Sequence, residues 1–110
     1  MGLTEADAKA LVNEGILSAD YDEHEEAIEF YDKALKIIKT VEAFLNKAIS
    51  LAELERYEEA VQYYDKAGQL DASDSLIWYN KGEILKHKGQ DNDAENCFAK
   101  VKELESEKLV

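Results

Sequence analysis

The sequence predicts an all-α protein made of stacked helix pairs, and two observations support this prediction. First, a short acidic or amide-rich motif ends in alanine three times, and these alanines lie 33 and then 34 residues apart: Ala27, Ala60 and Ala94. Second, an aromatic residue follows each alanine at the same offset: Tyr31, Tyr64 and Phe98. Because a period near 34 residues is typical of helical hairpins that stack side by side, we expect a repeat array.

These anchors divide the chain into three repeats within one domain of residues 1–110. The repeats are placed at residues 8–40, 41–74 and 75–108. Each repeat has a small residue at its eighth position: Gly15, Ala48 and Gly82. Small residues let two helices approach closely, so we expect them to face the motif alanines of the same helix pair. The large aromatic residues are then expected to fill the space between successive pairs.

The second repeat shows the helix pattern most clearly. Apolar residues recur every three or four positions over residues 41–54 and again over residues 57–70, which predicts two amphipathic helices. Only Glu55 and Arg56 separate them, so the connection is expected to be a tight antiparallel turn. Before the third repeat, residues 71–75 are rich in helix-capping types, and Ser73, Asp74 and Ser75 are the candidate caps.

Several positions match the pattern of a known family. In the second repeat they are Phe44, Ala48, Tyr57, Ala60, Tyr64 and Ala67, and in the third they are Trp78, Gly82, Gly89, Ala94 and Phe98. The chain therefore resembles the tetratricopeptide repeat family over about residues 8–104. The resemblance implies a right-handed α-solenoid of three antiparallel helix pairs, whose function is to bind other proteins. The seventh position departs from the family's usual leucine, being Glu14, Lys47 and Lys81.

The resemblance also implies a binding groove, lined by the first helix of each repeat. The groove candidates are Val12, Asn13, Ile16, Leu45, Asn46, Ile49, Tyr79, Asn80 and Glu83. Asparagine recurs at the sixth position of all three repeats, and its amide matches the donor and acceptor of a peptide unit. One hypothesis is that these asparagines hold the main chain of a ligand. The alternative is that they join neighbouring first helices by hydrogen bonds, or are simply common at this position in the family.

One known use of this family is capture of the acidic C-terminal tail of heat-shock chaperones by a clamp of lysine, arginine and asparagine. The corresponding positions here are Val12, Ile16, Asn46, Leu76 and Asn80. One position in five matches, so we expect a different ligand, namely a protein or peptide segment with apolar anchors and basic residues.

Composition narrows the classes of partner and compartment. The formal net charge of −12 argues against nucleic acid and against anionic membranes as partners. Cys97 is the only cysteine, which excludes an intrachain disulfide, and its place in the second helix of its repeat suggests a buried apolar residue. With no signal-peptide pattern and no apolar run near the roughly 20 residues needed to span a bilayer, a cytoplasmic protein is expected.

No residue pattern indicates an enzyme, a metal site or a cofactor. His24 lies among carboxylates, but these are residues expected at the start of a helix, and no second histidine follows at a metal-binding spacing. The serines have no histidine at a spacing that suggests a catalytic base. The predicted role is therefore a non-catalytic scaffold for protein interaction.

Self-assembly is the alternative function. Solenoids need terminal units with a polar outer face, and little sequence follows the last predicted helix. Leu104 and Leu109 are the candidate contacts if an apolar strip is left uncovered, and the product is then a homo-dimer. In the other outcome, the last helix continues toward the terminus with its charged residues outward.

Overall fold

A computed structural model describes residues 2–109 as six α-helices joined by short connections. In chain order they are α1 (Glu5–Asp20), α2 (His24–Ile37), α3 (Val41–Glu53), α4 (Tyr57–Leu70), α5 (Ser75–His87) and α6 (Asp91–Lys108). Within these residues there is no β-strand. Consecutive helices pack against each other, and α3 also contacts both α1 and α5, which places the first helices side by side. The predicted all-α solenoid of three helix pairs is confirmed.

The helix bounds of the second repeat follow the apolar pattern closely. α3 ends at Glu53, one residue before the predicted end, and α4 has the predicted bounds. Two first helices begin at threonines whose hydroxyls accept a backbone hydrogen bond, from the amide of Asp7 to Thr4 and from that of Ala43 to Thr40. α5 begins after Asp74, whose Oδ1 accepts from the amide of Leu76 at 3.0 Å, so the capping prediction is confirmed.

The turn within each repeat has the same backbone geometry. The fifteenth residue of each repeat lies in this turn and has a positive φ: 64° at Asp22, 61° at Glu55 and 81° at Gly89. The amide that follows this position donates to a carbonyl five residues earlier; for Arg56 and Leu51 the distance is 2.9 Å. This bond completes a Schellman motif, which ends the first helix and reverses the chain within a few residues.

Close packing within each pair differs in one respect from the prediction. The motif alanines are buried as expected, with at most 1 % of their surface exposed. The eighth-position glycines, however, lie against the aromatic rings of their own repeat. A Cβ atom at Gly15 would lie 2.8 Å from Cδ1 of Tyr31, and one at Gly82 would lie 2.6 Å from Cε1 of Phe98. Tyr31 and Phe98 therefore pack closely against the glycines of their own helix pairs.

Ion pairs join successive repeats and explain two of the three unusual residues at the seventh position. Nζ of Lys47 lies 2.6 Å from Oδ1 of Asp32, and Nζ of Lys81 lies 2.6 Å from Oδ1 of Asp65. In each case the lysine of a first helix reaches back to the second helix of the preceding repeat. The lysines therefore replace apolar packing with a charge pair at the two junctions between repeats.

The last helix continues to Lys108. Its exposed residues include Glu95, Lys102, Glu103 and Glu105, which gives the end of the array a charged outer face. Leu104 is 6 % exposed and is thus a core residue, so the expected apolar strip does not include it, whereas Leu109 is 88 % exposed. In the described part of the chain, no helix combines the length and the apolar character that membrane crossing requires.

Candidate functional site

The candidate groove is the surface formed by α1, α3 and α5. Two of its predicted residues, Val12 and Leu45, are only 3 % and 8 % exposed, because they pack into the core between helices. Ile16 and Ile49 are half-buried and leave part of their side chains at the surface. Tyr79 is 48 % exposed. The structure thus divides the predicted apolar residues into core and surface, and only the surface set is available to a ligand.

The strongest apolar surface in this region lies on α5. Leu76, which the family resemblance also places at a groove-facing position, is 50 % exposed. The Tyr79 ring lies 6.0 Å from that of Phe98, measured between centroids, which holds the tyrosine against the second helix of its own pair. A large aromatic ring that is both fixed and exposed is a typical anchor for a protein ligand. The signal that identifies Leu76 is its exposure, which depends on helix packing.

The recurring asparagines lie at the surface, one on each first helix. Asn13 is exposed, while Asn46 and Asn80 are half-buried. Nδ2 of Asn46 donates to the carbonyl of Glu42, one turn earlier in the same helix, at 2.9 Å. Within residues 2–109, no hydrogen bond joins any of these side chains to a neighbouring first helix. In this structure the amide of Asn46 is therefore bonded within its own helix.

The charges around the groove are mixed, with a negative excess. Exposed carboxylates lie at Asp20, Glu42, Glu53 and Glu83, and exposed lysines at Lys9 and Lys86. A cleft of about 420 Å³ opens at one end of α1, between Lys9, Val12 and Glu42, with Ile38 and Thr40 on its other side. This arrangement offers apolar contact next to carboxylates.

One side-chain constellation was missed by the sequence analysis. Nδ1 of His24 lies 3.2 Å from Oγ of Ser50, and its Nε2 lies 3.0 Å from Oδ1 of Asp22, so Ser50 does have a histidine neighbour. Stacking of repeats brings these residues together across a separation of 26 positions, which helix periodicity does not reveal.

The Asp-His-Ser order resembles that of a hydrolase triad, but access to the serine excludes this use. Ser50 is 1 % exposed, so no substrate carbonyl can reach its oxygen. The same burial raises the pKa of the adjacent Tyr31 to about 12. The constellation is therefore a hydrogen-bonded core contact between the first two repeats. Residues 2–109 contain no group of three or more side chains placed to hold a metal ion.

Comparisons with known proteins agree with the fold. A family model for the tetratricopeptide repeat matches residues 8–40, 41–74 and 76–108. No curated protein sequence matches significantly.

Among solved structures, the second TPR of Spaghetti (RPAP3) bound to HSP90 peptide SRMEEVD is similar, with a TM-score of 0.86 and 25% identity over 91% of this chain and 94% of that one. PcrH, from Pseudomonas aeruginosa, in complex with the chaperone binding region of PopB has a TM-score of 0.88 and 20% identity over 94% and 84% of the two chains. The Sgt2 TPR domain from Aspergillus fumigatus has a TM-score of 0.86 and 23% identity over 91% and 67%. Because the family model matches almost the whole chain in three consecutive blocks, the protein belongs to the tetratricopeptide repeat family.

Proposed function

We propose that the protein binds a peptide segment of a partner protein in the groove formed by α1, α3 and α5. The observation that carries the proposal is the half-exposed pair of large apolar residues on α5, Leu76 and Tyr79. The half-buried Ile16 and Ile49 extend this apolar surface across the two preceding repeats. The Spaghetti domain, which has the same fold, was solved with a bound peptide.

The ligand that fits this surface is an apolar segment with basic residues. The exposed rim carries four carboxylates against two lysines, so an approaching cation is favoured over an anion. Asn46 uses one amide hydrogen within its own helix and keeps its carbonyl oxygen as an acceptor for a ligand amide.

A chaperone-tail clamp does not fit the groove. The clamp positions are occupied by residues without positive charge, and one of them, Val12, is buried at 3 % exposure. A carboxylate in this groove would therefore meet no cation at those positions. The peptide SRMEEVD tests this directly, because a clamp needs the free terminal carboxylate. We expect the free acid and the C-terminal amide of this peptide to bind equally, since the terminal carboxylate meets no cation at the clamp positions.

Peptide-array screening followed by titration tests the proposal. Three sets of immobilised peptides each carry two leucines at varied spacing, and their other positions are lysine, glutamine or glutamate. The protein should bind the lysine set more strongly than the other two. For the best peptide, Tyr79→Ala should weaken binding about tenfold, as expected for an aromatic anchor. Tyr21→Ala is the matched control, because Tyr21 is 73 % exposed and lies outside the groove. Equal losses in the two variants would contradict the groove.

Asn46→Ala tests the peptide-holding role of the asparagines separately. It should weaken binding while the melting temperature barely moves, because the bond it removes is a local one on a solvated helix face. Unchanged affinity would leave the groove proposal standing on its apolar residues and remove the asparagines from it.

Self-association is the competing proposal. Of its two predicted contacts, Leu104 is buried within the chain and Leu109 is exposed. Light scattering after size-exclusion chromatography distinguishes the two proposals. A dimer that Leu109→Glu converts to a monomer would support assembly, and a monomer at high concentration would support the groove.

A further inference from the structure

A second cleft lies on the side of the array formed by the second helices α2 and α4. It has a volume of about 400 Å³, and an apolar floor is surrounded by lysines. Leu35, Phe44 and Tyr63 form the floor, and Lys36, Lys39 and Lys66 form the rim. We call this surface the basic cleft. Phe44 is buried, Leu35 and Tyr63 are half-buried, and all three rim lysines are exposed.

Aromatic rings hold the charged groups in place. Nζ of Lys47, below the rim, lies 4.0 Å from the centroid of the Tyr63 ring. Nζ of Lys66 lies 5.3 Å from the same centroid, and the rings of Tyr63 and Phe44 are 6.0 Å apart. Ammonium groups at these distances are attracted to the ring faces, so part of the positive charge is positioned before any ligand arrives.

The rim lysines are not neutralised by the protein. Within residues 2–109, none of the three has a carboxylate oxygen within 4.0 Å. Asp32 is the carboxylate inside the cleft, and its Oδ1 is paired with Lys47. The charge of Lys47 also reaches Glu59 and lowers the pKa of that exposed carboxyl, after the larger effect of Arg56. The cleft therefore keeps a positive excess in a chain whose formal net charge is −12.

The next junction between repeats shows that the array does not require this charge. It contains the matching ion pair of Lys81 with Asp65 and a matching aromatic, Trp78. At the positions of Lys36 and Lys39, however, the second junction has Gln69 and Ala72. The second junction still stacks α4 against α5 without these lysines, so repeat stacking does not require them.

We propose that the basic cleft binds a short acidic segment of a partner protein, with an aromatic or branched apolar side chain on the floor and carboxylates at the rim lysines. The segment must be short, because the rest of the surface is strongly acidic and repels extended polyanions such as nucleic acid. The cleft uses α2, α4 and two residues of α3, Phe44 and Lys47. The groove candidates on α3 are other residues, so the two sites are separate, and this proposal is independent of the function proposed for the groove.

Fluorescence anisotropy with a labelled EEDFEE peptide tests the proposal, with QQNFQQ as the uncharged control peptide. Binding of the acidic peptide should weaken about tenfold as NaCl rises from about 50 to about 500 mM, because exposed charges are screened. The double variant Lys36→Gln with Lys39→Ala installs the side chains of the second junction. It should weaken binding roughly fivefold or more, whereas Lys102→Gln with Lys108→Ala, an equal charge change at exposed positions of α6, should change it less than about twofold.

Four results would overturn the proposal. The first is an equal loss of binding in the two double variants, which would show that only the overall charge of the protein matters. The second is binding of QQNFQQ as tight as that of EEDFEE, which would show that the carboxylates are irrelevant. The third is loss of acidic-peptide binding in Tyr79→Ala, which would place that peptide in the groove instead. Finally, light scattering that shows a dimer of the parent and a monomer of the Lys36→Gln, Lys39→Ala variant would identify a second copy of the chain as the occupant.

Discussion

The ammonium of Lys47 lies 2.6 Å from the carboxylate of Asp32 and joins the first helix of one repeat to the second helix of the preceding repeat. Lys81 and Asp65 repeat the contact at the next junction, also at 2.6 Å. The two lysines occupy the seventh position of their repeats and the two aspartates the twenty-fifth. The pairing thus recurs at equivalent positions of both junctions.

Asp32→Ala should destabilise the fold by about 1–2 kcal/mol, because it leaves a lysine that is only 11% exposed without its partner. Lys47→Leu restores the residue that the family usually has and should cost less than Asp32→Ala, since apolar packing can replace the pair. Urea denaturation of both variants and of the double variant measures the coupling.

The second junction supplies the comparison. Lys81 is 21% exposed, about twice as exposed as Lys47, so Asp65→Ala should cost less than Asp32→Ala. A loss for Asp65→Ala equal to or larger than that for Asp32→Ala would show that burial of the lysine does not govern the energy of this contact.

Three helical glycines should respond differently to alanine. Gly15→Ala should destabilise by about 1–2 kcal/mol, because the new Cβ meets the buried Tyr31 ring and overpacking outweighs the gain in helix propensity. Gly82→Ala should cost less, since the Phe98 ring is only half-buried and can shift. At Gly68 the nearest atom, in Ile77, would be 3.9 Å away, so Gly68→Ala should stabilise by about 0.5–1 kcal/mol. Thermal melts of the three variants test this order, and a stabilising Gly15→Ala would contradict the packing described here.

The turns within repeats give a second matched comparison. Glu55 has a φ of 61°, a conformation that costs energy for a side chain with a Cβ, so Glu55→Gly should stabilise by roughly 0.5–1 kcal/mol. Gly89 has the same role at 81°, and a Cβ there would meet no atom within 4 Å, so Gly89→Ala should cost about 1 kcal/mol through backbone strain alone. Chemical denaturation measures both changes, and changes of the same sign would argue against a shared turn geometry.

Much of the fold was predictable because each repeat carries the same local signals. The apolar spacing of residues 41–54 and 57–70 and the capping residues before α5 depend on neighbours within a few positions, and the structure places these elements within one residue of the prediction. The buried alanines were also predictable, since their recurrence marks the point where the two helices of a pair are closest.

The contacts between repeats were less predictable, because a repeat-period argument treats each repeat alone. It marked Lys47 and Lys81 as departures from the family and gave no partner for them. It also missed the contact between His24 and Ser50. For the groove, the family resemblance implied nine candidates on the first helices, but only packing decides that Val12 and Leu45 are core residues and that Leu76 is exposed.

Cys97 provides a test of burial at the end of the array. Its side chain is 5 % exposed, and burial raises the pKa of its thiol. Reaction with Ellman's reagent requires an accessible thiolate. At about pH 8 the thiol of the native protein should therefore react at least about a hundredfold more slowly than that of the protein unfolded in guanidinium. An unfolded thiol ionises near pH 8.5, below the pKa of the folded one, so this group makes stability fall as pH rises above about 8.5. Cys97→Ala should reduce that alkaline loss. The control is Cys97→Ala carrying Ser106→Cys, whose new thiol lies at an exposed position of α6 and should react at nearly the unfolded rate. Rapid reaction of native Cys97 itself would show that α6 detaches from α5 far more often than this packing allows.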